Sequence, residues 1–159
     1  MTETSDVIRL SIPAKPEFVG IARLACSGAA SRMGYSFDAI EDIKVAVSEA
    51  CTNAVSHGYK QNGIGQIQVI MECGKEALTL TVLHNGESFD ASEALQKLRP
   101  IDPSADLDDV NEGGLGLFLI NALMDQVTIS TECGVAVRMV KYVTRDGVER
   151  IANKVSTTE

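Results

Sequence analysis

Apolar and polar residues alternate from Val7 to Ile12, which predicts a strand that Pro13 ends. Between 16 and 33 the apolar positions Phe18, Ile21, Ala22, Leu24, Ala25 and Ala29 recur at helical spacing, with Gly34 placed as a C-cap. A second helix is predicted from Phe37-Asp38, with Asp38 as N-cap and Glu41 three residues later in a capping-box arrangement. Its apolar face carries Ile40, Ile43, Ala46, Val47, Ala50, Ala54 and Val55, and it is expected to run until Gly58.

Asn62-Gly63 and Gly65 mark a turn. Residues 66–72 and 77–83 then read as two strands joined tightly through Gly74-Lys75. From Glu87 to Glu112 the pattern is lost: Pro100, Pro103 and the acidic Asp106, Asp108 and Asp109 fall here, with a short helix expected near 91–98. A segment this long suits a lid. An apolar helix is predicted at 115–124, then strands at 126–132 and 135–144 with Gly134 between them, then a polar tail over 145–159. Helices grouped on one face of a mainly antiparallel sheet give an α+β two-layer sandwich, one domain over 1–159 with its core at about 7–144.

Composition narrows the function classes. The 159 residues are 45% apolar and 23% charged, as expected of a globular domain large enough to bury a core. A net charge of −8 argues against a nucleic-acid-binding surface. Cys26, Cys51, Cys73 and Cys133 are widely separated and only two histidines accompany them, so a structural zinc site is not expected and the thiols read as reduced. No apolar run approaches the roughly 20 residues that span a bilayer, and MTETSDV lacks a basic-then-apolar signal. A soluble, cytoplasmic protein is expected.

Three pieces carry candidate chemistry. Glu49, Asn53 and His57 stand at i, i+4 and i+8, hence on one helical stripe. A carboxylate can accept a proton, and an amide oxygen suits Mg²⁺; by spacing alone a solvated face is the more common arrangement. His84-Asn85-Gly86-Glu87-Ser88-Phe89-Asp90 directly follows a strand, as a ligand-binding turn or an ordinary one. Glu112-Gly113-Gly114-Leu115-Gly116-Leu117 leads glycines into a helix N-terminus, which suits phosphate or simply close packing.

Taken together and in this order, the pieces resemble a known family. Ser48 to Tyr59 (SEACTNAVSHGY) is similar to the N box of GHKL ATPases, in the branch of anti-sigma factor serine kinases that govern stress-response sigma factors. His84 to Asp90 and Glu112 to Leu117 resemble that branch's two glycine boxes, and Gly134 with Arg138 to Tyr142 its closing strand, so the likeness runs from about Ile8 to Tyr142. The resemblance implies the Bergerat ATP-binding fold and ATP with Mg²⁺ as cofactors. It makes Glu49 the general base for an attacking serine hydroxyl and Asn53 the Mg²⁺ ligand. Gly86 would lie near adenine, and Gly113, Gly114, Leu115 and Gly116 near the phosphates. The implied partners are a sigma factor, a STAS-type anti-anti-sigma protein as phosphorylation substrate, and a second copy in a homodimer.

Two positions depart from the family pattern, both on adenine recognition. His84 stands where the family has an Asp that accepts from the adenine amino group, and Ala136 where it has a Thr. A neutral imidazole can still accept one hydrogen bond; a protonated one cannot. Losing a buried hydrogen bond to a charged group costs about 1.5–3 kcal/mol, so weakened or altered nucleotide binding is expected. The alternative is a nucleotide-independent anti-sigma module with the same fold. The ATP-binding half of a histidine kinase fits less well, because residues 1–15 are too short for a phospho-acceptor helix.

Overall fold

The computed structural model describes residues 5–60, 65–85, 99–100, 113–130 and 136–143. In chain order these form β1 (Asp6–Pro13), a 3-10 turn (Pro16–Phe18), α1 (Val19–Met33), α2 (Phe37–Lys60), β2 (Gln66–Cys73) and β3 (Ala77–Asn85). Then come β4 (Arg99–Pro100), α3 (Gly113–Leu123), β5 (Gln126–Ser130) and β6 (Ala136–Tyr142). The sheet order is β1-β2-β3-β6-β5-β4, and every described pairing is antiparallel.

Helices pack on one face of this sheet, the expected α+β sandwich. Strand alternation sends Ile12, Ile67, Val69, Met71, Leu78, Leu80, Val82, Val137 and Met139 into that layer. They meet Ala22, Cys26 and Ala30 of α1, Ile43, Ala46, Val47, Ala50 and Cys51 of α2, and Ile120 of α3. Small residues on α1 and α2 let the helices approach each other and the sheet closely.

Local signals explain most boundaries. Gly34 adopts φ 92°, the left-handed conformation that ends α1. Its N–H donates to Ser31 O at 3.1 Å and Tyr35 N donates to Ala30 O at 3.2 Å, the paired bonds of a Schellman cap. The start of α2 differs from expectation. Ser36, not Asp38, is the cap: Ser36 Oγ accepts from Ala39 N at 3.2 Å, and Asp38 falls inside the first turn, where its charge meets the helix dipole. The helix also continues past Gly58 to Lys60. Pro100 pairs with Thr128 at the edge of the sheet, where a missing N–H breaks no ladder. The helix expected near 91–98, the proposed lid and the tail lie outside the described residues.

Tyr35 pins the helix layer to the sheet. Its buried hydroxyl donates to Lys141 O and accepts from Leu78 N at 2.9 Å, and Leu78 and Lys141 are partners across β3 and β6. Cys26, Cys51 and Cys73 are free thiols. Burial pushes the Cys26 and Cys51 thiols up to about 12, with Cys51 and Cys73 adding to the rise at Cys26. Among the described residues no helix is long and apolar enough to cross a membrane.

Candidate active site

The site is built where α3 begins against the middle of α2. Glu49 and Asn53 are half-buried on one stripe of α2, and Gly116 of α3 is buried against them. A β-carbon at Gly116 would stand 2.9 Å from Glu49 Oε2, and 3.5 Å and 3.6 Å from Asn53 Nδ2 and Oδ1. A β-carbon there would force the carboxylate to shift. The sequence separates these residues widely, and the fold brings all three together. Gly113, Gly114 and Leu115 form the first turn of the same helix. Backbone N–H groups there have no intrahelical acceptor and carry the positive end of the dipole. One small space therefore holds a carboxylate, an amide and a helix N-terminus.

Neighbouring hydroxyls are engaged elsewhere. Ser48 Oγ donates to Lys44 O and Thr52 Oγ1 to Ser48 O, each at 2.8 Å, so both are turned onto the α2 backbone. His57 continues the stripe along the backbone of α2, but its side chain lies outside the described residues. His84 is fully buried near the end of β3, opposite Ile67 of β2. It follows Leu78, Leu80 and Val82 in alternation and so faces the helix layer. Ala136, also fully buried, pairs with Leu83 and Ser130. It is out of phase with Val137 and Met139, so the register sends it to the opposite face from His84. Gly86 lies outside the described residues.

Residues 12–141 match the histidine kinase-like ATPase domain family. The chain is 46% identical to serine-protein kinase RsbW of Bacillus subtilis, over 94% of this chain and 93% of that protein. It is 45% identical to serine-protein kinase RsbW of Oceanobacillus iheyensis, over 97% and 98%. The chain belongs to the RsbW family of serine-protein kinases. A crystal structure of the RsbU and RsbW domains of a Mycobacterium tuberculosis protein shares its fold, with TM-score 0.61 and 19% identity, over 89% of this chain and 33% of that one.

Membership in an RsbW kinase family gives the cleft a definite chemical test. Phosphoryl transfer needs positioning, a metal and a base more than covalent chemistry. Gly116, whose missing side chain leaves the carboxylate room, together with Asn53 and the N–H groups that open α3, fits a phosphate-bearing ligand. Among the described residues no cluster of three or more His, Cys, Asp or Glu side chains could hold a metal unaided.

One positioning residue gave no sign of this role in the sequence. Lys141 of β6 donates from Nζ to Leu123 O at 2.6 Å and stands 3.6 Å from Asp42 Oδ2. It thereby ties the C-terminal end of α3 to the first turns of α2. A cation on the last carbonyls of a helix complements its dipole. The sequence shows only a lysine in a strand; the contact exists because β6 runs beneath both helix ends.

Proposed function

We propose that this chain is an anti-sigma factor that phosphorylates a serine of an anti-anti-sigma protein, using ATP and Mg²⁺. The reading rests foremost on the packing of Gly116 against Glu49, so close that an added β-carbon would stand 2.9 Å from Oε2, which sets a carboxylate beside a helix N-terminus. Bound ATP would supply the phosphoryl group, and Mg²⁺ would offset its charge. Glu49 would take the proton from the acceptor serine hydroxyl, and Asn53 would hold the metal through its amide oxygen. The N–H groups at Gly113 to Gly116 would receive phosphate oxygens. His84 would accept from the adenine amino group in place of the family's Asp, and Ala136, which the register sends to the opposite face of the sheet, would not stand beside it.

The same reading makes the protein cytoplasmic, with a stress-response sigma factor and a STAS-type antagonist as partners. It works as a homodimer without direct contact to nucleic acid or membrane. The exposed apolar residues Val7 and Ile8 on the edge strand β1, with Ile21 and Leu24 on α1, suit the dimer surface. Calorimetric titration with ATP and Mg²⁺, with GTP as control, followed by serine phosphorylation in wild type and Glu49→Gln, tests the assignment. Micromolar ATP binding with phosphorylation lost in Glu49→Gln is expected. A folded protein that binds no ATP would restore the nucleotide-independent module.

A further inference from the structure

Where α2 and α3 meet, two side chains on the solvent side of the seam are apolar. Val45 stands one helical turn before Glu49, and Leu119 stands one turn after Gly116. The two helices run antiparallel: Gly116 abuts Glu49, and farther along, Lys141 ties Leu123 to Asp42. Val45 and Leu119 both lie between these two ties. They are 39% and 40% exposed. Each lies off the buried stripe of its own helix, where Ala46, Ala50 and Ile120 are fully covered. Exposed apolar side chains gathered at one seam call for a function more than the same residues scattered singly.

We propose that Val45 and Leu119 form the docking surface for the protein segment that carries the acceptor serine, an inference that rests on the kinase reading above. A macromolecular hydroxyl must come within about 3 Å of Glu49 to give up its proton. Whatever flanks that hydroxyl then lies along the borders of the seam. One turn of helix advances about 5.4 Å. Two residues of an extended segment advance about 6.6 Å, with both side chains on the same face. The acceptor segment therefore carries an apolar side chain two positions from its serine, seated against Val45 and Leu119. Continuity with the catalytic carboxylate selects this occupant. A sigma factor, a second copy or a membrane would have no need of a surface ending one turn from Glu49.

The test uses the full chain and the STAS-type anti-anti-sigma proteins of its own host, each purified without phosphate. The Val45→Gln/Leu119→Gln double variant keeps good helix formers at exposed positions. Its KM for the protein substrate is expected to rise about tenfold, with kcat within twofold and Mg²⁺-ATP affinity unchanged. Phe37→Gln, at the exposed start of α2 away from the seam, should leave that KM alone. Each single variant carries the test if the double variant melts early. Replacing the apolar residue two positions from the phosphorylated serine should raise KM similarly in wild type and little further in the double variant. An unchanged KM in the double variant, or an equal rise in Phe37→Gln, overturns the docking surface alone. Absence of phosphoryl transfer by wild type to any of these proteins would overturn the kinase reading and the surface with it.

Discussion

Replacing Gly116 with alanine tests the site at its tightest point. The new β-carbon would lie 2.9 Å from Glu49 Oε2, closer than side-chain carbons stand to oxygen, while Asn53 at 3.5 Å and 3.6 Å is at ordinary contact. The carboxylate must therefore move, and it can, because it is the far end of a flexible side chain. Two effects on stability oppose each other. Alanine is favoured over glycine inside a helix by about 1 kcal/mol, and crowding costs about 1–3 kcal/mol where neighbours cannot give way. Glu49 can give way, so the net change in folding stability should stay within about 1 kcal/mol. Catalysis has no such latitude. A base displaced by about 1 Å loses on the order of 100-fold in rate, equivalent to about 2.7 kcal/mol of barrier. Gly116→Ala should thus melt near wild type yet transfer phosphate about 100-fold more slowly, read by thermal denaturation and radiolabelled phosphorylation. A variant with wild-type stability and activity within threefold would refute the claim that the close approach positions Glu49.

Three further predictions follow from the fold. Tyr35→Phe leaves the Leu78 N–H and Lys141 C=O without their shared partner; at about 1 kcal/mol for each group, urea denaturation should show a loss of about 2 kcal/mol. Ser36→Ala should cost about 1 kcal/mol and Asp38→Ala clearly less, because Ser36 and not Asp38 caps α2; the reverse ranking would return the cap to Asp38. Stability should also fall with rising pH above about 9. The folded thiols of Cys26 and Cys51 hold their protons up to about 12, while the unfolded chain releases them near 9.0. The contribution is full below pH 9 and is lost at about 1.4 kcal/mol per pH unit for each thiol through that window. Cys51→Ala should therefore show a shallower alkaline decline than wild type, measured by denaturation at pH 8 to 11.

Much of the architecture was legible because its signals are local. Gly34 ends α1 since only a residue tolerant of positive φ fits there, and the alternation in β2 and β3 follows directly from burial of one face. The start of α2 was misplaced because Ser36 and Asp38 are both good caps, and Glu41 completes a box only with the second. The Ser36 cap starts the helix at Phe37, and its backbone continues through Gly58 to Lys60 despite a helical penalty of about 1 kcal/mol for glycine. At the site, Glu49 and Asn53 were visible as a stripe, and the glycines as a cluster. Their convergence was not, since nothing in spacing sets one helix end against the middle of another. The phase of Ala136 relative to His84 was also hidden, because it depends on the register of β6 against β3.

The order of the sheet also has a consequence during synthesis. Strand β6, the last described element to leave the ribosome, is not an edge strand but lies between β3 and β5. Until residue 142 has emerged, β3 keeps an unpaired rim and β5 has no neighbour towards the centre of the sheet. At about 5–20 residues per second, several seconds pass between the appearance of β3 and that of its partner. The nascent chain thus presents an open, apolar strand edge for that interval, a template for pairing with other chains. Any truncation before β6 makes that transient state permanent, and chaperone capture should be concentrated in this window.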